Sequence, residues 1–301
     1  MRVLISGGTG TVGSALTDSF RSDGAVVNHL VRGKEKRSPD DVLWNPTSAI
    51  VDVPAMEGYD AVVHLSGASI AHSRWTKTRK LIIRNSRVDT TRVLVDALAR
   101  LKQKPSVFVC ASATGYYGSR GDEILTETSG NGSDLLGLLC RAWEAEASRA
   151  IPNGVRTVIA RFGIVLSQKG GALPAMVGPF RLGFGGRLGS GRQWMSWIAL
   201  DDVVAIIRAA IAEKSWSGPF NLVAPEPIQN VEFTRVLASV LHRPAFFAVP
   251  SFALRIALGE MADALLLASQ RVQPAKLQAA GYRFRHENLE EVLFNTLNKP
   301  Q

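Results

Sequence analysis

The residues Ser6-Gly7-Gly8-Thr9-Gly10-Thr11-Val12-Gly13 follow an apolar stretch, Val3 to Ile5, and open an apolar-periodic segment, Val12 to Phe20. Glycine meets a different need at each of three places. Gly7 allows a tight turn, Gly10 lets backbone approach a pyrophosphate, and Gly13 lets a helix pack closely on a strand. The helix then aims free N–H groups and a partial positive charge at that phosphate. A glycine turn between strand and helix predicts a dinucleotide site, with Gly7, Thr9, Gly10, Thr11, Val12 and Gly13 as its residues.

The next strand, Ala25 to Val31, runs into Arg32, with Lys34, Lys36 and Arg37 beyond it. An NAD site commonly carries an acid at this strand end, to hold the ribose 2′-hydroxyl. Here a guanidinium stands instead, and it suits a 2′-phosphate through charge-assisted hydrogen bonds. NADP(H) is therefore expected over NAD(H).

A second group of chemically capable residues lies later. Arg181, Arg187 and Arg192 alternate with glycines, and Gln193, Trp194 and Trp197 follow. Arginines grip phosphate or carboxylate, tryptophans stack on flat rings, and glycines permit close approach. This suits an anionic small-molecule substrate such as a nucleotide sugar. Arg74 and Trp75 are expected to approach the same cleft. Asp122, Glu123 and Glu127 read as solvated loop acids. The two cysteines, Cys110 and Cys140, lack metal-ligand spacing and read as partly buried free thiols in a reducing compartment. No metal site is expected.

These residues need a frame. Strand-like runs at Val3–Ile5, Ala25–Val31, Ala61–Leu65, Val107–Cys110 and Val155–Arg161 alternate with helix-like runs at Val12–Phe20, Thr76–Leu101 and Leu135–Ala150. This rhythm predicts an α/β fold: a Rossmann-type doubly wound parallel sheet with helices on both faces. From Gly170 to Gly191 the chain reads as loop, and Val231–Leu241, Phe252–Gln270 and Leu289–Asn298 read as helices of a smaller C-terminal lobe. The expected division is 1–165 plus 196–224 for the NADP-binding body and 166–195 plus 225–301 for a substrate-binding lobe.

With 301 residues, 46% of them hydrophobic, the chain can bury a real core. Met1 and Arg2 lead straight into a strand, which leaves no targeting segment to expect. The apolar stretch Met261–Ala268 contains Asp263 and is far too short to span a bilayer. A cytoplasmic protein with no membrane partner is expected. Net charge is +9, but the basic run Arg32–Arg37 is broken by Gly33 and Glu35. The charge therefore reads as favouring phosphate-bearing ligands, with no nucleic-acid partner.

The chain resembles an extended short-chain dehydrogenase/reductase. The family's glycine signature matches with Ser6 in the threonine place. Asp60-Ala61-Val62-Val63-His64-Leu65-Ser66-Gly67-Ala68 resembles the strand ending under the adenine and ribose. Ser112-Ala113-Thr114, then Tyr117-Gly118, resembles the strand bearing the catalytic serine. Arg161-Phe162-Gly163 and Trp197 to Val203 resemble later family segments. More narrowly, Arg74-Trp75, Trp143-Glu144, Gly170-Gly171-Ala172, Pro179 to Gly183, Gly189 to Gly191 and Ala280 to Phe284 are similar to the atypical YfcH-like "epimerase family" branch. The resemblance implies a nicotinamide cofactor and adds Leu65, Ser66, Gly67, Ala68, Arg87 and Arg161 to its expected contacts. Arg87 takes the place of a structural asparagine.

The family's Tyr-x-x-x-Lys pair is absent. With Glu144 in the place of the usual helix glutamate, Leu136 stands for the tyrosine and Cys140 for the lysine. Ser112 with Tyr116 or Tyr117 is left to polarise a reacting oxygen. An NADP-dependent oxidoreductase or sugar-nucleotide epimerase working by hydride transfer is expected, with the cofactor carrying the redox chemistry. The alternative is an NADPH-binding sensor without turnover. A homodimer is expected by family analogy.

Overall fold

The computed structural model describes residues 1–33, 38–39 and 41–298. Lys34, Lys36 and Arg37 lie outside the described residues. In chain order the elements are β1 (Arg2–Ser6), α1 (Thr11–Ser22), β2 (Val26–Arg32), β3 (Val42–Asn45), β4 (Ile50–Val51), β5 (Ala61–His64), α2 (Lys77–Asn85), α3 (Val88–Arg100), β6 (Val107–Ala113), β7 (Ile124–Leu125), α4 (Leu135–Ser148), β8 (Arg156–Phe162) and β9 (Ile164–Leu166). They continue as α5 (Leu173–Arg181), β10 (Gly186–Leu188), β11 (Trp194–Met195), β12 (Trp197–Ala199), α6 (Leu200–Ala212), β13 (Gly218–Leu222), β14 (Ile228–Gln229), α7 (Asn230–Leu241), β15 (Phe247–Val249), α8 (Ser251–Leu258), β16 (Arg271–Val272), α9 (Ala275–Ala279) and α10 (Leu289–Asn298).

Eight strands form the main sheet in the order β13-β8-β6-β5-β1-β2-β3-β4. All its pairs are parallel except β3 with β4. Its inner strands are almost wholly apolar because both faces are covered. Alternate side chains go to opposite layers: Leu4 and Phe108 pack towards α3 and α4, while Val3, Ile5, Val107 and Val109 pack towards α1 and α6. The Rossmann-type fold expected from the alternating pattern is the fold found. The strand order reverses between β1 and β5, which opens a crevice at their carboxyl ends, where the glycine turn lies.

A third apolar cluster joins α5, α7 and α10 with Leu166, Trp197 and Ala224, and forms the core of the C-terminal part. The chain does not stay there. Leu277 packs into the layer that also holds Trp216 and Phe220, and Tyr282 and Phe284 pack against that layer. Asp202, near the start of α6, accepts the backbone N–H groups of Arg285 and His286.

Several elements differ from the sequence pattern. The helical run Thr76–Leu101 is two helices, α2 and α3. At their junction Ser86 Oγ accepts the Ala68 N–H at 3.0 Å and donates to the Ile83 carbonyl, so the break fastens the loop after β5. The run Phe252–Gln270 ends as a regular helix at Gly259, whose φ of +64° turns the chain out of the helix. The stretch read as loop between Gly170 and Gly191 contains α5, with a proline at its start and Pro179 within it. Among the described residues, no helix is long and apolar enough to cross a membrane.

Candidate functional site

The turn from Ser6 to Gly13 carries β1 into α1 with little room for side chains. Gly7 has a φ of +74°, and a Cβ there would stand 2.8 Å from the Leu65 carbonyl carbon. A Cβ at Gly13 would lie 2.2 Å from the Gly7 oxygen, so only glycine closes this turn. Gly10 is different: a Cβ there would meet only the Gly7 oxygen, at 3.3 Å. Gly10 is the N-cap of α1, no side chain caps the helix, and its first turn holds no acid. The result is an open, positively polarised helix start at the switch point, and its residues fit a pyrophosphate. Thr9 and Gly10 are exposed, and Thr11 and Val12 are half-buried. A Cβ on Gly170 would come within 2.5 Å of Thr11 Oγ1, so the loop after β9 runs across one side of the cradle.

His64 braces the cradle from below. It is fully buried, its Nδ1 lies 2.6 Å from Ser6 Oγ and its Nε2 lies 3.4 Å from Thr90 Oγ1. Thr90 donates its own proton to backbone carbonyls at the start of α3. Ser6 therefore donates to Nδ1 of a neutral imidazole whose Nε2–H faces Thr90. Burial depresses the His64 pKa to about 3, which keeps the ring neutral.

Arg32 closes β2 and is exposed there. Asp41, the next described acid, is buried and accepts the backbone N–H groups of His29 and Ser38. It is thus committed to the backbone rather than to a ribose. Leu65, Ser66, Gly67 and Ala68 follow β5 and border the crevice opposite the glycine turn. Arg87 lies directly behind them, with its guanidinium carbon 3.2 Å from where a Gly67 Cβ would stand and 5.4 Å from the Trp143 ring centre. Its Nη1 donates to the Ile83 carbonyl and to Ser86 Oγ. Burial works against its charge, the neighbouring Cys140 favours it, and Arg79 opposes it.

The predicted catalytic serine is already engaged. Ser112 Oγ donates to Glu144 Oε1 at 2.6 Å, and both residues are buried. Glu144 also accepts Arg161 Nε at 2.8 Å and Nη2 at 2.7 Å. Arg161, expected among the cofactor contacts, is therefore enclosed in an ion pair beneath the sheet ends. Burial opposes its charge, but the hydrogen bonds and charge of Glu144 raise its pKa above the usual guanidinium range. Its Nη1 donates to Tyr117 Oη at 2.9 Å, and Tyr117 donates in turn to Asn221 Oδ1 at 2.7 Å. Burial raises the Tyr117 phenol to about 12, against the pull of Arg161. Tyr116 is half-buried, with its ring face 3.5 Å from the Arg161 guanidinium carbon and perpendicular to the Tyr117 ring. Of the two tyrosines, Tyr117 is held in the core by its hydroxyl, whereas Tyr116 meets the same residues through its ring.

Leu136 and Cys140, in the tyrosine and lysine places, are both buried. Burial, with the Glu144 charge, raises the Cys140 thiol to about 12, so it is a protonated core group. Cys110 is buried and raised in the same direction.

The arginines between 181 and 192 all stand at exposed positions. Arg181 ends α5 and is exposed, Arg187 Nη1 turns back onto the carbonyls of Gly189 and Ser190, and Arg192 is exposed. Arg74 is exposed and lies against Gly259. Trp75 is tied to its own loop through the Ile70 carbonyl. Trp194 is half-buried, and its indole N–H donates to Asp122 Oδ1 at 2.7 Å. Glu127, read from sequence as a solvated acid, is buried and accepts the backbone N–H groups of Asn221 and Lys276. Desolvated backbone donors from two distant segments need an acceptor there, and Glu127 supplies both of its oxygens. Among the described residues, no group of three or more His, Cys, Asp or Glu could hold a metal.

Sequence reading missed the buried roles of His64 and Asn221. Each acts through residues far away in the chain, and only the Ser6–His64 juxtaposition carries a local signal, through adjacent parallel strands.

Comparison with known proteins agrees with this geometry. Residues 3–222 match the NAD dependent epimerase/dehydratase family, and residues 249–295 match a domain of unknown function named DUF1731. An Epimerase family protein of Mycobacterium leprae is 40% identical over 298 residues, covering 99% of this chain and 96% of its own. The Epimerase family protein YfhF of Bacillus subtilis is 36% identical, with 97% of each chain covered. The crystal structure of the human epimerase family protein SDR39U1 with NADPH superposes with a TM-score of 0.90 at 33% identity, covering 98% of this chain and 99% of that one. Glycine cradle, switch-point crevice and near full-length likeness together make this chain a member of the NAD dependent epimerase/dehydratase family, within its atypical extended short-chain dehydrogenase/reductase branch.

Proposed function

We propose that this protein binds NADP(H) at the Ser6–Gly13 turn and acts as an oxidoreductase or sugar-nucleotide epimerase on an anionic alcohol or carbonyl compound. The observation that carries the reading is the uncapped start of α1 above Gly10, with Arg32 rather than an acid at the end of β2. The NADPH bound to the related human protein supports the same cofactor. When bound, the nicotinamide supplies or accepts the hydride.

The chain's own residues then have separate tasks. The first N–H groups of α1 take the pyrophosphate, and Arg32 takes the 2′-phosphate. The backbone from Leu65 to Ala68 lines the opposite wall. Arg87 forms no ion pair among the described residues, so its charge is free to hold ribose oxygens beside Gly67. Tyr116, which meets Arg161 and Tyr117 through its ring and not through its hydroxyl, donates or accepts the proton at the substrate oxygen. Ser112 positions Glu144 and leaves that proton to Tyr116.

The sealing of the Ser112 hydroxyl by Glu144 favours a second reading, in which the protein senses NADPH without turnover. The two readings separate in one experiment. The protein is incubated with NADPH deuterated at nicotinamide C4 and with pools of nucleotide sugars, ketones and quinones. Deuterium in a product supports the enzyme, and tight NADPH binding without transfer to any pool supports the sensor.

A further inference from the structure

Arg271 opens β16 and lies against the loop between β10 and β12. Its guanidinium carbon stands 4.5 Å from the centre of the Trp194 ring. Its Nε is closed off from solvent and has no hydrogen-bond partner. Among the described residues it forms no ion pair, so an aromatic face rather than an acid holds this cation in place. The stack itself is well fixed. The Trp194 indole N–H is taken by Asp122, its backbone N–H donates to Ser269 Oγ at 3.0 Å, and its carbonyl accepts the Gln270 N–H at 3.0 Å.

The two residues just before this strand, Ser269 and Gln270, are fastened to the turn that carries Tyr116 and to the segment after it. Thr114, the first residue of that turn, donates to Gln270 Oε1 at 3.0 Å, and Arg120 N–H donates to the Ser269 carbonyl. The cofactor phosphates belong with Gly10 and Arg32, at the ends of β1 and β2. Arg271 is tied to the segment after β6, on the other side of β5 from β1. A guanidinium held on an indole at that position, with no ion pair among the described residues, is placed for a second anion, not for the dinucleotide.

We propose that Arg271, stacked on Trp194, is the anion anchor of the substrate site and takes a phosphate or carboxylate of the molecule whose reacting oxygen meets Tyr116. This rests on the hydride-transfer reading and shifts the anionic contact away from Arg181, Arg187 and Arg192. The anchor fixes one end of the substrate, and the Thr114–Gln270 hydrogen bond keeps the anchor in register with the tyrosine turn.

Calorimetric titration of the full chain tests it, with and without saturating NADPH, using UDP, glucuronate and uridine as probes. The expected result is binding of UDP or glucuronate to the wild type, with UDP alone assigning the phosphate and glucuronate alone the carboxylate, and no binding of uridine. Arg271→Gln is expected to weaken the bound anion by roughly tenfold or more, Arg271→Lys by less, and neither is expected to change NADPH affinity. Equal anion affinity in Arg271→Gln and wild type overturns the anchor, as does failure of both anions to bind the wild type at millimolar concentration. Anion loss in Arg271→Gln from a protein that binds no NADPH supports the anchor and overturns the cofactor reading.

Discussion

Glu144 receives the Ser112 hydroxyl at 2.6 Å while its two oxygens hold the Arg161 guanidinium at 2.7 and 2.8 Å. One carboxylate thus satisfies two buried groups beneath the candidate site. Removing it strands a cation out of water. Glu144→Ala is expected to cost about 3–5 kcal/mol of unfolding free energy. Ser112→Ala, which leaves the ion pair intact, is expected to cost only about 1 kcal/mol and to keep NADPH affinity. Urea unfolding and NADPH fluorescence titration measure both, and an Ser112→Ala variant that no longer binds NADPH would contradict the positioning role.

The neighbouring tyrosines are expected to separate chemistry from stability. Tyr116→Phe should lower turnover by about a hundredfold or more, the scale of a lost general acid, with little change in melting temperature. Tyr117→Phe should lose the bonds to Arg161 and Asn221 and destabilise the fold by about 1–3 kcal/mol. Kinetics and thermal melts on the same pair of variants decide it, and the opposite pattern would assign the proton to Tyr117.

Two glycines of the turn should fail in different ways. Gly13→Ala places a methyl 2.2 Å from the Gly7 oxygen, so both folding stability and NADPH binding are expected to fall. Gly10→Ala meets only one atom, at 3.3 Å, so the fold should lose only about 0.5–1 kcal/mol, the cost of alanine at an N-cap. Its methyl nevertheless intrudes on the pyrophosphate path, and NADPH affinity should drop by about tenfold or more, equivalent to about 1.4 kcal/mol. A Gly10→Ala protein with unchanged affinity would move the pyrophosphate elsewhere.

Cofactor choice should hinge on Arg32. Arg32→Ala is expected to weaken NADPH by about tenfold to a hundredfold, the range of a lost charge-assisted hydrogen bond, and to leave NADH unchanged. Parallel titrations with the two dinucleotides measure the ratio. An unchanged ratio removes Arg32 from the 2′-phosphate site.

His64 should give the protein an acid-sensitive fold. Its ring stays neutral when folded, with a pKa of about 3 against 6.5 for the free group. Below pH 6.5 the unfolded chain therefore takes up a proton that the folded chain refuses. Stability falls as pH drops through this window, by about 2 kcal/mol between pH 7 and pH 5 from this group. His64→Gln lacks that contribution, so its stability should change less over the same interval in chemical unfolding. Parallel curves for wild type and variant would show that the ring does titrate in the fold.

The sheet, the glycine cradle and the fold class were legible because they rest on local signals: apolar runs, glycine spacing and a strand meeting a helix. The position of Arg32 at a strand end was legible for the same reason, because the pattern already marks that strand. Glu127 looked like a solvated acid because the backbone donors it satisfies, Asn221 and Lys276, come from distant segments. Arg161 matched a family segment, but its neighbours Glu144 and Tyr117 set its environment, and helix α4 and the turn after β6 bring them to it without any shared spacing. The arginines from 181 to 192 read as a ligand loop from composition, and all three are exposed. Arg271 gave no pattern at all, since its environment is one indole ring far away in the chain.

The return of the C-terminal segment to the Rossmann body joins the two halves mechanically. Leu277, Tyr282 and Phe284 fill the layer beside Trp216 and Phe220, and Asp202 receives the chain again at Arg285 and His286. Neither half can be pulled away without opening the other. The protein should melt in a single cooperative transition, and a chain cut before Pro274 should lose the Rossmann body along with the lobe. The two segments that match separate family models, 3–222 and 249–295, are then expected to fold as one unit, so either expressed alone should stay unfolded.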